Sequence, residues 1–385
     1  MNNFIYSNST KVYFGKGGVR EYLGSLLAGY GARVMLAYGG GSVKRNGVYD
    51  EIISILQSAG KQVTEFGGIM PNPTYAKVQE GAKLAREQRV DLILAVGGGS
   101  VMDCCKIVSA QAKTDADIWT AENETRTFPT AFIPLGAVVT VFGTGSEMNS
   151  GAVITHTEKK IKGALFGAQA DFAFLDPTYS LSVPQKQLIF GAFDTLSHAM
   201  ETYFGKPDEA NLSDELGEAV MRSVIRNIRM LLTDPENYHA RSELAWASSM
   251  AENGILKIGK ITDFQCHMME HQLGAYTDCN HGAGLAVLHP VLYRHLCGTA
   301  PARFARFARN VFGIAQRGSD TDTALAGIDA LAAFIREVGL PTRLSEMGIA
   351  NDTDFRAIAD STVLTAGCCK KLTHDEIYEI LQECK

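Results

Sequence analysis

The chain has 385 residues, of which 46% are hydrophobic and 20% charged, with a formal net charge of −6. That length is expected to divide into two domains, and the acidic balance gives neither a basic footprint for nucleic acid nor a polybasic membrane patch. No run of about 18 apolar residues marks a transmembrane helix, and the opening MNNFIYSNSTKVYFGKGG lacks the cationic and apolar regions of a signal peptide. Eight cysteines without a CxxC pattern read as reduced thiols in a cytoplasmic protein.

The first half alternates. A short apolar strand at Val34–Ala37 ends in Gly39-Gly40-Gly41-Ser42, and a helical pattern follows near Val48–Gln57. Gln62–Phe66 reads as a strand, and the turn Pro71-Asn72-Pro73-Thr74 launches a helix to about Glu87. The apolar run Asp91–Val96 is a strand stopped by Gly97-Gly98-Gly99-Ser100, with a helix from Val101 to about Ala112. Thr130–Pro134, Ala152–Thr155 and Asp171–Leu175 are further expected strands. Strand, glycine turn and helix in repetition predict a parallel sheet with helices on both faces. After Pro184 helical periodicity takes over: Gln185–Tyr203, Ser213–Leu232, Ala240–Ile258, Phe264–Tyr276, Pro301–Phe312, Asp322–Val338 and His374–Glu383. The expected architecture is a Rossmann-like α/β dinucleotide-binding domain over residues 1–183, followed by an all-α, metal-binding and catalytic domain over 184–385.

Gly97-Gly98-Gly99-Ser100 joins a strand to a helix. Glycines let the backbone approach a phosphate, and the helix start offers unpaired N–H groups and a positive dipole end. The pattern is neither GxGxxG nor a P-loop. A second polar, glycine-rich stretch runs from Thr140 to Asn149 and contains Gly143-Thr144-Gly145-Ser146. Two such loops in one alternating domain favour a dinucleotide over two incidental turns. The loop Gly39–Arg45 contains no carboxylate to hold a ribose 2′-OH, whereas Ser42, Lys44 and Arg45 suit a 2′-phosphate. NADP(H) is therefore expected over NAD(H), although Lys44 and Arg45 could equally be solvated surface charges.

Asp194 and His198 stand four apart, as do His267 and His271, and His281 follows after a short turn. On a helix, residues four apart share a face. One carboxylate with several imidazoles suits a borderline divalent cation, Zn²⁺ or Fe²⁺. An HExxH protease motif is excluded because position 268 is Met.

GGGSxxD (Gly97–Asp103), GTGSE (Gly143–Glu147), FDTLSH (Phe193–His198), HxxxH (His267–His271) and NHG (Asn280–Gly282) together resemble the iron-containing, group III alcohol dehydrogenase family, and within it the NADPH-dependent butanol dehydrogenase and aldehyde reductase branch. The resemblance spans essentially the whole chain. It implies a dehydroquinate synthase-like architecture and an NADP(H)-dependent interconversion of primary alcohols and aldehydes, mainly the reduction of short- to medium-chain aldehydes. It implies Asp194, His198, His267 and His281 as metal ligands, and leaves His271 as the catalytic, non-ligating imidazole near the nicotinamide. The implied cofactor contacts are Gly97, Gly98, Ser100, Thr140 and Thr144, with Asp103 and Lys162 toward the nicotinamide and Gly39, Gly40 and Ser42 at the 2′-phosphate; Asn72 completes the expected set. A homodimer is expected, since the branch is commonly dimeric. Polyol dehydrogenases and the dehydroquinate synthase lyase use the same fold, but 193–203 and 264–282 contain no Lys or Arg for a phosphorylated, carboxylated substrate. A non-catalytic nucleotide- or metal-binding protein would be expected to have lost one of the five metal-site candidates, and none is missing.

Overall fold

The computed structural model describes residues 1–385, which form two compact units, Ser7–Val183 and Pro184–Lys385 together with Met1–Tyr6. The helical unit thus includes the first six residues, which the expected boundary assigned to the α/β domain. The Asn2 N–H donates to the Gly259 carbonyl at 3.0 Å and the terminal ammonium lies 3.2 Å from Glu209, so Met1 and Asn2 place these groups on loops of the helical unit.

The first unit runs β1 (Lys11–Phe14), α1 (Gly18–Leu27), β2 (Arg33–Tyr38), α2 (Ser42–Arg45), α3 (Val48–Ser58), β3 (Gln62–Phe66), α4 (Tyr75–Glu87), β4 (Leu92–Gly97), α5 (Gly99–Gln111), α6 (Ile118–Asn123), β5 (Leu135–Val139), β6 (Gly151–His156), β7 (Ile161–Phe166) and β8 (Phe172–Leu175). Six strands pair in parallel in the order β1-β8-β5-β4-β2-β3. The central strands β4, β5 and β8 are buried at every position, which is why they read as unbroken apolar runs. Val19, Leu23 and Leu27 of α1 and Val48, Ile52 and Leu56 of α3 pack on Leu36, Leu94, Val138 and Phe174 of the sheet.

Two expectations need correction. Thr130–Pro134 is not a strand; the strand begins one residue later, at Leu135. Pro134 has no N–H for a sheet ladder, and its carbonyl instead accepts the Ile93 N–H at 2.9 Å. The strand expected at Ala152–Thr155 exists as β6, but it pairs antiparallel with β7 in a separate hairpin, outside the parallel sheet.

The second unit contains α7 (Gln185–Tyr203), α8 (Leu212–Thr233), α9 (Tyr238–Glu252), α10 (Gln265–Thr277), α11 (His281–Cys297), α12 (Pro301–Phe312), α13 (Asp320–Glu337), α14 (Phe355–Ser361) and α15 (His374–Glu383). No helix is long and apolar enough to cross a membrane. Helix α7 packs on α8, α9 and α11, and α10 packs on α11. The helix at 281–297 has no counterpart among the expected elements.

Candidate functional site

In the first unit, three loops follow β2, β4 and β5, which are adjacent in the sheet. They therefore lie side by side along the carboxyl edge, where doubly wound sheets receive nucleotides. The Thr140 N–H donates to the Gly97 carbonyl at 2.9 Å, joining the loops that follow β4 and β5. Helix α5 starts at Gly99 with extended Gly98 as its N-cap and no side chain capping it, so its first N–H groups are not taken up by a side-chain cap. A side chain on Gly98 would sit 3.1 Å from Val141, and one on Gly99 would overlap Thr144. The glycines thus let the Thr140–Thr144 loop lie directly against the helix start. Gly99→Ala is expected to push the Thr144 loop aside and weaken the binding of a dinucleotide at this edge by about tenfold or more, readable as a shift in a fluorescence titration with a reduced nicotinamide dinucleotide.

Ser42 opens α2 after Gly39 and Gly40. A carboxylate that the local sequence does not reveal stands beside this loop. Glu65 of β3 accepts Lys44 at 2.8 Å and the Tyr49 hydroxyl at 2.6 Å, and also accepts the Tyr38 hydroxyl. Lys44, Tyr38 and Tyr49 together hold the Glu65 carboxyl down at about 2. Asn72 takes a left-handed φ of 50° between two prolines. The Thr155 N–H donates to the Pro73 carbonyl at 2.9 Å, and Lys162, buried on β7, is the β-partner of Thr155. Strand β6 therefore runs between the end of the Asn72 turn on one edge and Lys162 of β7 on the other. Asp103 accepts the Ser146 hydroxyl and the Val153 N–H, the latter at 2.8 Å, bracing α5 against the Ser146 turn and β6.

In the helical unit the metal candidates converge. Asp194, His198 and Glu201 fall at i, i+4 and i+7 on α7, and His267, Glu270 and His271 at i, i+3 and i+4 on α10. His281 is the first residue of α11, behind Asn280, whose side chain accepts the Ala283 N–H at 3.1 Å. The cap fixes the start of the helix and, with it, the imidazole. Oδ1 of Asp194 lies 3.7 Å from Nε2 of His198, 3.5 Å from Nε2 of His267 and 3.4 Å from Nε2 of His281. Each gap, measured from this one oxygen, is close to the edge of about 3.4 Å expected for ligands about 2.1 Å from a shared cation; the donor atoms of Asp194, His267 and His281 lie mutually within 4.8 Å, whereas His198 stands outside that close group and reaches it through Asp194. Both Asp194 Oδ1 and His267 Nε2 are buried without a hydrogen-bond partner. Two orphaned polar atoms facing each other at that separation fit a divalent cation between them.

The electrostatics agree with that donor set. Burial works against a charged Asp194, yet the surrounding imidazoles hold its carboxyl well below the usual range. Burial pushes His198 down to about 4, leaving a neutral ring. Burial also opposes a charged His267, but Glu201 and Asp194 outweigh it and lift the ring to about 10. A cation at Nε2 would displace that extra proton.

His271 is buried on the same face of α10, with its ring 6.0 Å from that of His267 and 5.6 Å from that of His281. Donor atoms of Glu270, His271 and His281 also lie within 4.8 Å of one another, as do those of Asp194, His267 and His281. His281 belongs to both groups, facing Asp194 with Nε2 and Glu270 with Nδ1. A further buried imidazole, His289 on α11, is tied through Nε2 to the Ser197 hydroxyl at 2.6 Å.

Sequence reasoning missed Glu201 and Glu270, which touch Nδ1 of His267 and of His281. Helical spacing could have raised both: Glu201 follows His198 by three and Glu270 follows His267 by three. Gly284 completes the arrangement, since a side chain there would come within 2.9 Å of Glu270.

The chain matches the model of the iron-containing alcohol dehydrogenase over residues 9–177 and that family's C-terminal model over 188–384. It is 40% identical to the probable NADH-dependent butanol dehydrogenase 1 of Bacillus subtilis, with 99% of each chain covered. It is 38% identical to the NADPH-dependent aldehyde reductase YqhD of Escherichia coli, covering 91% of this chain and 90% of that one. The crystal structure of NADH-dependent butanol dehydrogenase A from Thermotoga maritima superposes with a TM-score of 0.94 at 34% identity, covering 100% of this chain and 99% of the other. The chain belongs to the iron-containing alcohol dehydrogenase family and is an oxidoreductase of alcohols and aldehydes that depends on a metal and a nicotinamide cofactor.

Proposed function

We propose that this enzyme mainly reduces short- to medium-chain aldehydes to primary alcohols with NADPH, with Asp194, His198, His267 and His281 holding one Fe²⁺ or Zn²⁺. The observation that carries this reading is the single carboxylate oxygen, Asp194 Oδ1, within 3.4–3.7 Å of three imidazole Nε2 atoms. Three nitrogens and one oxygen suit either ion; raw affinity favours Zn²⁺, and the family description favours iron. When bound, the cation supplies Lewis acidity toward a substrate oxygen, and the nicotinamide supplies the hydride. The chain's own residues do the rest. Asp194, deeply buried, keeps its charge where positive charge must be held. His271, the imidazole left outside the ligand set, delivers the proton that completes the alcohol. Gly97, Gly98, Ser100, Thr140 and Thr144 seat the pyrophosphate, with Asn72, Asp103 and Lys162 further along the cofactor. The α/β unit, Ser7–Val183, is read as the dinucleotide-binding part and the helical unit, Pro184–Lys385 with Met1–Tyr6, as the metal-binding, catalytic part; the working form is read as a cytoplasmic homodimer.

NADPH is favoured by a Gly39–Ser42 loop without a carboxylate and by the positive charges of Lys44 and Arg45 beside Ser42. A second reading, NADH, has its own support. Glu65 compensates the charge of Lys44 at 2.8 Å, and the relative from Bacillus subtilis is named NADH-dependent. Butanal reduction followed at the nicotinamide absorbance, with each cofactor at fixed metal, separates the two. The kcat/KM for NADPH is expected to exceed that for NADH by about tenfold or more; the reverse order would establish NADH.

A further inference from the structure

Beyond the ligands themselves, two carboxylates occupy positions that a metal site exploits. We propose that Glu201 and Glu270 are positioning residues that fix His267 and His281 in the tautomer and orientation a cation requires, so that retention of the cation depends on both. The inference rests on the ligand assignment given above.

Glu201 is 3% exposed and Glu270 is fully buried. A buried carboxylate is costly unless its oxygens are engaged. Glu201 accepts the Cys266 N–H at 2.7 Å and the His267 N–H at 3.2 Å, closing the open amino end of α10, and its Oε2 also contacts Nδ1 of His267. Glu270 reaches forward from α10 to Nδ1 of His281 through the space that Gly284 leaves empty, and the Cys279 thiol lies 3.9 Å from its other oxygen.

A neutral imidazole carries one N–H. A carboxylate at Nδ1 keeps the proton on that nitrogen and turns the Nε2 lone pair outward. For both rings Nε2 is the atom that faces Asp194. The two glutamates therefore act on the two rings in the same sense from different helices. His198 has no such support: its Nδ1 is buried without a hydrogen-bond partner, and its ring is held by stacking on His267, with centroids 4.6 Å apart. Two supported ligands and one unsupported ligand make the glutamates the main determinants of how firmly the cation stays.

Glu→Gln at either position is the informative change because it preserves shape. In E201Q the new carbonyl oxygen can still accept the Cys266 N–H. The new amide NH₂, however, would donate to Nδ1 of His267 and move the ring proton to Nε2, where it blocks ligation. Full-length protein loaded with Zn²⁺ would be challenged with excess chelator, and metal release timed. Wild type is expected to hold one Zn²⁺ per chain, with E201Q and E270Q each releasing it about 10–100-fold faster. The metal-free variants should keep the helix content of wild type by circular dichroism, with E201Q melting lower because its NH₂ cannot accept the His267 N–H, and the visible spectrum of the Co²⁺-loaded variants should shift from that of wild type. Should a Gln variant fail to fold, Glu→Asp tests the same point, because it draws the carboxylate back from the ring; faster release is expected there too. Release at the wild-type rate from folded variants would overturn the proposal. Two Zn²⁺ per wild-type chain, one of them lost in E270Q, would make Glu270 a ligand and overturn it as well. A wild-type protein that takes up no cation would instead overturn the ligand assignment, and this inference with it.

Discussion

His267→Ala is expected to abolish both metal retention and turnover. The change removes an Nε2 that faces Asp194 Oδ1 at 3.5 Å and leaves Glu201 buried without its imidazole. A cation's stabilisation of developing charge is worth several kcal/mol; a loss of about 4 kcal/mol corresponds to about a thousandfold in rate. Metal content by elemental analysis should fall to under about a tenth of wild type, and kcat/KM for aldehyde by about a thousandfold or more. His271→Ala provides the contrast. As a proton-transfer residue outside the ligand set, it should leave metal content intact while lowering kcat by about a hundredfold or more. Retained turnover in His267→Ala would contradict the metal reading; loss of metal in His271→Ala would make that ring a ligand.

The second large effect is expected from a methyl group. Gly282 follows His281 at the start of α11, and a side chain there would overlap the Phe190 carbonyl on α7. The obstacle is backbone, so neither helix can yield by changing a rotamer. Overpacking of this kind costs about 1–3 kcal/mol. At the upper end it lowers the melting temperature of a unit of this size by roughly 6–12 °C. The same shift moves His281, and a displacement of about 1 Å at a reacting centre can cost about a hundredfold. Gly298, at the other end of α11, is the control: it has helical backbone angles and open space around the position of a Cβ. Gly298→Ala should be neutral or slightly stabilising in calorimetry. Equal melting temperatures for the two variants would refute the close helix approach.

Much of this was legible in the chain. The run at Asp91–Val96 followed by three glycines marks β4 and the start of α5, because a strand buried on both faces must be apolar throughout. The four-residue step from Asp194 to His198 announces a helix face, and α7 spans Gln185–Tyr203 as its periodicity predicts. What escaped is what depends on tertiary context. The edge strand β1 is only partly buried, so its sequence KVYF carries no apolar alternation. Helix α11 was hidden by Gly282, Gly284 and Pro290, residues that ordinarily argue against a helix. Here the two glycines accommodate Phe190 and Glu270, which only the folded neighbours reveal. The carboxylates were likewise invisible as partners. Glu65 meets Lys44 from a neighbouring strand, and Glu270 meets His281 across a helix junction.

The most direct test of metal-dependent aldehyde reduction is the metal content of the purified wild-type protein, measured with its activity before and after chelation and anaerobic reconstitution. One Fe²⁺ or Zn²⁺ per chain is expected, with NADPH-dependent turnover rising in proportion to occupancy. Metal-free protein that reduces aldehyde at the rate of the reconstituted enzyme would contradict the assignment.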